Sequence, residues 1–100
     1  MKVNISSVHF DADKKLIDFI NERVNKLETF YDKIIDSNVV LKIDKAQDKE
    51  NKLVEIKLSV PGKDLFAKKQ GKSFEEATDL VIEALRRQIR KQKTKELSIN

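Results

Sequence analysis

The chain of 100 residues contains no cysteine. It can form no disulfide framework and has no thiolate for catalysis or metal binding. That fits a reducing compartment such as the cytosol. Gly62 and Gly71 are its only glycines, which excludes a glycine-rich loop built to cradle a phosphate. His9 is the single histidine, whereas a catalytic triad or a histidine pair on a metal needs partners that the chain lacks. A lone histidine at a strand end reads as structural. No apolar run approaches the length of a signal peptide or a membrane span. Acidic side chains are plentiful, but each sits beside a base or at a cap position, so no carboxylate pair stands out as general acid and base. These absences point to a soluble cytoplasmic domain that is not an enzyme. No cofactor, metal, membrane or small-molecule substrate is expected.

The apolar residues that are present are periodic. Val3 and Ile5 alternate with Asn4 and Ser6, predicting a first strand over about residues 2–9. Asp13 is placed to cap a helix. From there Leu16, Ile17, Phe19, Ile20, Val24, Leu27, Phe30 and Tyr31 share one arc of a helical wheel, a helix of about five turns. Ile35, Val39, Leu41 and Ile43 alternate next, with Val40 on the opposite face, and Val54, Ile56, Leu58 and Val60 alternate again. The polar stretch 45–52 between them reads as the connection of a long hairpin. Pro61-Gly62 predicts a tight turn, because proline presets its φ and glycine accepts a positive one. A short fourth strand, at an edge, is expected over residues 65–69. Ser73 and Glu76 have capping-box spacing. Phe74, Ala77, Val81, Ile82, Ala84, Leu85 and Ile89 then line the buried arc of a second helix. The order is β-α-β-β-β-α, an α+β fold. A strand-helix-strand crossover favours a parallel first pair, and two short connections add an antiparallel meander. The four-stranded mixed sheet should carry both helices side by side on one face. Its other face, with Lys42, Asp44, Glu55, Lys57 and Lys68, should meet water. One domain is expected over residues 1–95, and a short disordered tail over 96–100.

Charge is distributed unevenly. Arg86, Arg87, Arg90, Lys91, Lys93 and Lys95 make six of the ten residues 86–95 basic, and none of the ten is acidic. The whole chain carries +4, so the remainder sums to −2. Cations near a helix C-terminus complement its dipole, but that effect fades within the last turn and does not call for six. A donor-rich positive patch on a rigid element suits a polyanion, above all a phosphate backbone. On the wheel, Arg86, Arg87 and Arg90 lie opposite the Phe74–Val81–Leu85 stripe, with Lys91 and Lys93 beside them. On the first helix Lys26 sits at the edge of the apolar arc. Arg23 falls inside that arc, where its stem must snorkel outward past its neighbours. It either covers the core edge or holds a basic group between the two helices. Few aromatics interleave with these bases, so recognition of structured RNA by backbone and shape is favoured over stacking on single strands.

Four stretches resemble those of one family, the ribosome hibernation-promoting factors or ribosome-associated inhibitors. These are VNISSVH at 3–9, VNKLETFYDKIIDSNVVL at 24–41, SFEEATDL at 73–80 and RRQIRK at 86–91. The likeness runs in order along essentially the whole chain. It implies a β-α-β-β-β-α fold and docking in the channel of the small ribosomal subunit, where such proteins occupy messenger and tRNA space and keep idle ribosomes inactive. It implies ribosomal RNA contacts at Arg23, Lys26, Arg86, Arg87, Arg90, Lys91 and Lys93. The charge pattern adds Lys95. Lys68-Lys69-Gln70 departs from the family pattern and either weakens the fourth strand or extends the basic surface. Ending at Asn100, the chain is expected to be similar to the short hibernation-promoting form, monomeric by itself, without the further domain that pairs ribosomes in long members. Two other functions fit the residues: a generic double-stranded RNA-binding module, and a protein-interaction regulator such as a transcription-factor modulator.

Overall fold

A computed structural model describes residues 1–46 and 48–98. Its elements follow the expected order: β1 (Lys2–Ser7), α1 (Lys14–Asn25), a 3-10 segment (Lys26–Thr29), β2 (Asp36–Ile43), β3 (Lys52–Val60), β4 (Lys63–Gly71) and α2 (Phe74–Ser98). The sheet order is β1-β2-β3-β4. β1 and β2 are parallel, joined by the α1 crossover, and the other pairs are antiparallel. Both helices lie on the face formed by Val39, Leu41, Val54, Ile56, Leu58, Leu65 and Ala67, all buried. From α1 come Leu16, Ile20 and Val24, and from α2 Phe74, Ala77, Val81, Leu85 and Ile89. Strict alternation in the strands and helical spacing in the helices put these residues in one layer between sheet and helices.

Local chemistry sets the boundaries. The Asp13 carboxylate accepts from the Leu16 amide at 2.9 Å and caps α1. Ser73 Oγ accepts from the Glu76 amide at 3.0 Å, while the Glu76 carboxylate accepts from the Lys72 amide at 3.2 Å. The capping-box pair therefore forms, with the glutamate reaching one residue further back than in the reciprocal motif. Gly62 has φ +82, which the turn between β3 and β4 requires. β1 ends at Ser7, two residues earlier than expected, because His9 takes φ +65 and turns the chain aside. Histidine is among the residues that tolerate this left-handed conformation.

Further expectations about extent and burial are corrected. The first helix is α-helical for twelve residues only and tightens into the 3-10 segment at Lys26. There Thr29 Oγ1 donates to the Lys26 carbonyl at 2.6 Å, and both Phe30 and Tyr31 amides donate to the Leu27 carbonyl. Beyond that point the helical wheel no longer sets which side chains are inside: Tyr31 is buried but Phe30 is 41% exposed. Ile35, expected inside, is 61% exposed, and Ile34 fills the core instead, because β2 begins only at Asp36. Ile43, at the far end of the same strand, is also exposed. β4 is nine residues long rather than a short strand over 65–69. It pairs with β3 along its whole length, through Lys68 and Lys69. Its free edge is protected at mid-strand by Gln88 of α2, which donates from Nε2 to the Phe66 carbonyl at 2.7 Å and accepts from the Phe66 amide at 3.3 Å. The tail expected from residue 96 is helical as far as Ser98, so α2 continues into it. Residues 99 and 100 lie outside the described part.

Candidate nucleic-acid interface

α2 is 25 residues long, about 37 Å at 1.5 Å per residue. Its first turn carries Glu75 and Glu76, and its basic run occupies the second half. Leu85 and Ile89 anchor that half to the core, while Arg86, Arg87, Arg90, Lys91, Lys93 and Lys95 are all exposed. They do not form one stripe, because successive residues on a helix diverge by about 100°. Arg86 turns toward α1 rather than straight away from the sheet. Its guanidinium carbon lies 4.2 Å from the centre of the Phe30 ring. Lys93 is on the same flank and donates from Nζ to the Phe30 carbonyl at 2.9 Å. Arg87 and Arg90 line the outer surface with Lys91, Thr94 and Lys95. Lys91 and Lys95 also reach the opposite flank, where Lys63 of β4 and Gln88 join them.

The α1 side contributes Arg23 and Lys26. Arg23 Nε donates to Asp79 Oδ1 at 3.0 Å, and a terminal nitrogen donates to Glu22 at 3.3 Å. Its guanidinium carbon sits 4.2 Å from the Phe19 ring centre, and its side chain is 32% exposed. Arg23 thus snorkels along an aromatic face and holds its head between the helices; both of its anticipated roles meet in one geometry. Lys26 is exposed and pairs with Glu22 at 3.5 Å, as Arg87 does with Glu83 at 3.1 Å. Arg23, Lys26, Phe30, Asp79, Glu83 and Arg86 together line a groove between α1 and α2. Among the described residues, no carboxylate salt bridge engages Arg86, Arg90, Lys91 or Lys93. These four are exposed and leave donors for an outside anion.

The end of α2 that carries Lys93 is fastened to the chain following the 3-10 segment. Buried Tyr31 donates from its hydroxyl to the Glu96 carboxylate at 2.6 Å, and Lys33 reaches the same carboxylate at 3.2 Å. Burial, reinforced by the Glu96 carboxylate, pushes the Tyr31 hydroxyl up to about 12. The bond from Tyr31, aided by Lys33, holds the Glu96 carboxyl below its ordinary range, although desolvation works the other way.

Phe30 was not legible as part of this surface. Its helical spacing assigns it to the core, and only the change to 3-10 geometry exposes it. Lys63 and Gln88 were also missed; their positions depend on where α2 crosses β4, which sequence spacing does not encode.

The sequence from residue 3 to residue 96 matches the family described as Sigma 54 modulation protein / S30EA ribosomal protein. The chain belongs to this family. It is 33% identical over 99 residues to a protein of Pseudomonas putida named ribosome hibernation promoting factor, covering 99% of this chain and 93% of that protein. The S30EA-type fold is also seen in the ribosomal subunit interface protein of Coxiella burnetii. That structure superposes with a TM-score of 0.84 at 19% identity, covering 94% of this chain and 99% of that one. The N-terminal domain of Thermus thermophilus Protein Y gives a TM-score of 0.78 at 16% identity, covering 91% and 98%. All of the basic residues singled out above fall inside the matched span.

Proposed function

We propose that this S30EA-family chain is a cytoplasmic, non-catalytic hibernation factor that binds the small ribosomal subunit and silences idle ribosomes. It docks in the messenger and tRNA channel through the outer faces of α1 and α2, with Arg23, Lys26, Arg86, Arg87, Arg90, Lys91, Lys93 and Lys95 against ribosomal RNA. The observation that carries this reading is the set of four exposed cations on α2 with no carboxylate partner among the described residues. Ion pairs with the protein's own acids would have to break before phosphate could bind; these four need no such exchange. Arginine forks suit phosphate bidentately and lysine adds compact charge. The names of the relatives point the same way. Among the described residues no helix is long and apolar enough to cross a membrane.

A generic double-stranded RNA-binding module would place its bases at the start of the last helix. Here that start is acidic, with Glu75 and Glu76. The other name carried by the family description, a modulator of sigma 54, keeps a protein-interaction role as the competing reading. Sedimentation of a lysate decides between them. The chain is expected to co-migrate with small subunits and idle monosomes, to leave them after nuclease treatment, and to bind less tightly as salt rises, because neutralised phosphates release counterions. Free protein at physiological salt, or complexes indifferent to nuclease, would overturn the ribosomal reading.

A further inference from the structure

We propose that Phe30 is a stacking platform for one unpaired base of the bound RNA, with Arg86 and Lys93 gripping the phosphates on either side of it. The inference rests on the RNA-binding reading above and adds a contact of a different kind. Leu27 and Tyr31, on either side of Phe30 in the chain, fill the core, while Phe30 is 41% exposed. Its exposure therefore does not come from a loosely packed segment: the backbone turns this one ring out. It turns the ring toward cations. Arg86 covers one part of it at 4.2 Å, and Lys93 holds its carbonyl at 2.9 Å. Phe30 also lines the clefts on both sides, the α1–α2 groove with Arg23 and the cleft with Arg90, Lys93 and Leu97.

A flat aromatic face flanked by guanidinium and ammonium groups matches a nucleotide unit, whose base offers a π-face and whose backbone offers negative charge. A bulged or looped base in a folded RNA supplies both at once. Phe66 makes a useful contrast. It is similarly exposed, at 49%, but lies on the opposite sheet face, across from Lys57 in the register of β3 and β4, and among the described residues no arginine covers its ring in the way that Arg86 covers Phe30.

The test measures affinity for purified small ribosomal subunits at several salt concentrations, with Phe30→Leu and Phe30→Tyr beside the unaltered chain. Leucine keeps apolar bulk but has no π-face; tyrosine keeps the ring. The expected result is a loss on the order of tenfold for the leucine variant, near-native binding for the tyrosine variant, and an unchanged slope of log affinity against log salt, since no phosphate contact is removed. Melting temperatures of both variants should stay within a few degrees of the parent. Equal affinity of the leucine variant, equal losses in both variants, or a slope reduced as if one phosphate contact had gone would each overturn the proposal. The last would mean that the ring only props Arg86. If the unaltered chain does not bind subunits at all, the ribosomal reading fails and this inference falls with it. If it binds and only the Phe30 pattern fails, the ribosomal reading stands.

Discussion

Arg23 Nε and Asp79 Oδ1 lie 3.0 Å apart, fifty-six residues from each other in the chain, and tie α1 to α2 at the rim of the basic groove. The link separates two roles of one arginine. It can strut the helices, and it can offer its remaining donors to an anion.

Arg23→Gln and Asp79→Asn both break that pair, which is partly exposed. Each should cost about 1 kcal/mol or less, a fall of a few degrees in Tm for a domain of this size. Binding to small subunits should divide them. The arginine variant is expected to bind more weakly, and the aspartate variant as well as the parent or better, since it removes a negative charge from the groove. Equal losses of binding would reduce Arg23 to a strut.

Changing Arg86, Arg87 and Arg90 together to Glu should weaken binding on the order of a hundredfold or more, because three attractive phosphate contacts become repulsive. The fold should survive. Losing the Glu83–Arg87 pair costs a few tenths of a kcal/mol, and the Arg86–Phe30 contact about 0.5–1 kcal/mol. Acidic charge near a helix C-terminus adds about the same again. These sum to less than a domain stability of about 5 kcal/mol or more. The control is Lys45, Lys49 and Lys57 changed to Glu, all exposed and outside both helices. Lys42 is unsuitable, being paired with Glu55 at 3.2 Å. A control as damaging as the arginine triple would show that net charge rather than this face drives binding.

Tyr31 is the only tyrosine, so its ionisation can be read directly from tyrosinate absorbance. In the folded protein that signal should rise near pH 12, against about 10 in denaturant. The hydroxyl is harder to ionise when folded, so its contribution to stability is complete below pH 10 and lost as pH climbs from 10 toward 12. Glu96 acts at the other end of the scale. Its carboxyl is depressed, so its contribution holds above the ordinary carboxylate range and fades as pH falls through it. Tyr31→Phe should lower stability by about 1.5–3 kcal/mol, the worth of a hydrogen bond to a charged partner. An absorbance midpoint near 10 in the native protein would contradict the buried bond.

Gln88→Ala removes both hydrogen bonds to the Phe66 backbone. The loss of stability should be about 1 kcal/mol, since water can replace the glutamine at an edge strand. Hydrogen exchange at the Phe66 amide should speed up markedly while central amides of β3 keep their protection. Unchanged exchange at Phe66 would show that the edge is guarded by something other than Gln88.

The arrangement of the core was readable from sequence because it depends on local periods. Val54, Ile56, Leu58 and Val60 alternate and are all buried; Phe74, Ala77, Val81, Leu85 and Ile89 recur at helical spacing and are all buried. A period of two or 3.6 survives in the sequence whatever lies opposite. The clustering of cations near the end of α2 was readable for the same reason, since it is a property of neighbours in the chain.

What the amino-acid sequence determined by itself is therefore the order of elements, the parallel-then-antiparallel sheet, the caps at Asp13 and Ser73, the turn at Gly62 and the basic half of the last helix. The caps, the turn and the basic run arise from residues within a turn or two of one another, and the sheet topology follows from the order and length of the connections. Tertiary structure alone decided which cations share a flank, where α1 stops being an α-helix, how far β4 and α2 extend, and that Phe30 faces the groove while Tyr31 faces the core. Those outcomes rest on contacts such as Gln88 with Phe66, Arg23 with Asp79 and Tyr31 with Glu96, which are 22, 56 and 65 residues apart. Pairings at that separation exist only once the sheet has brought the helices side by side, and no local period announces them.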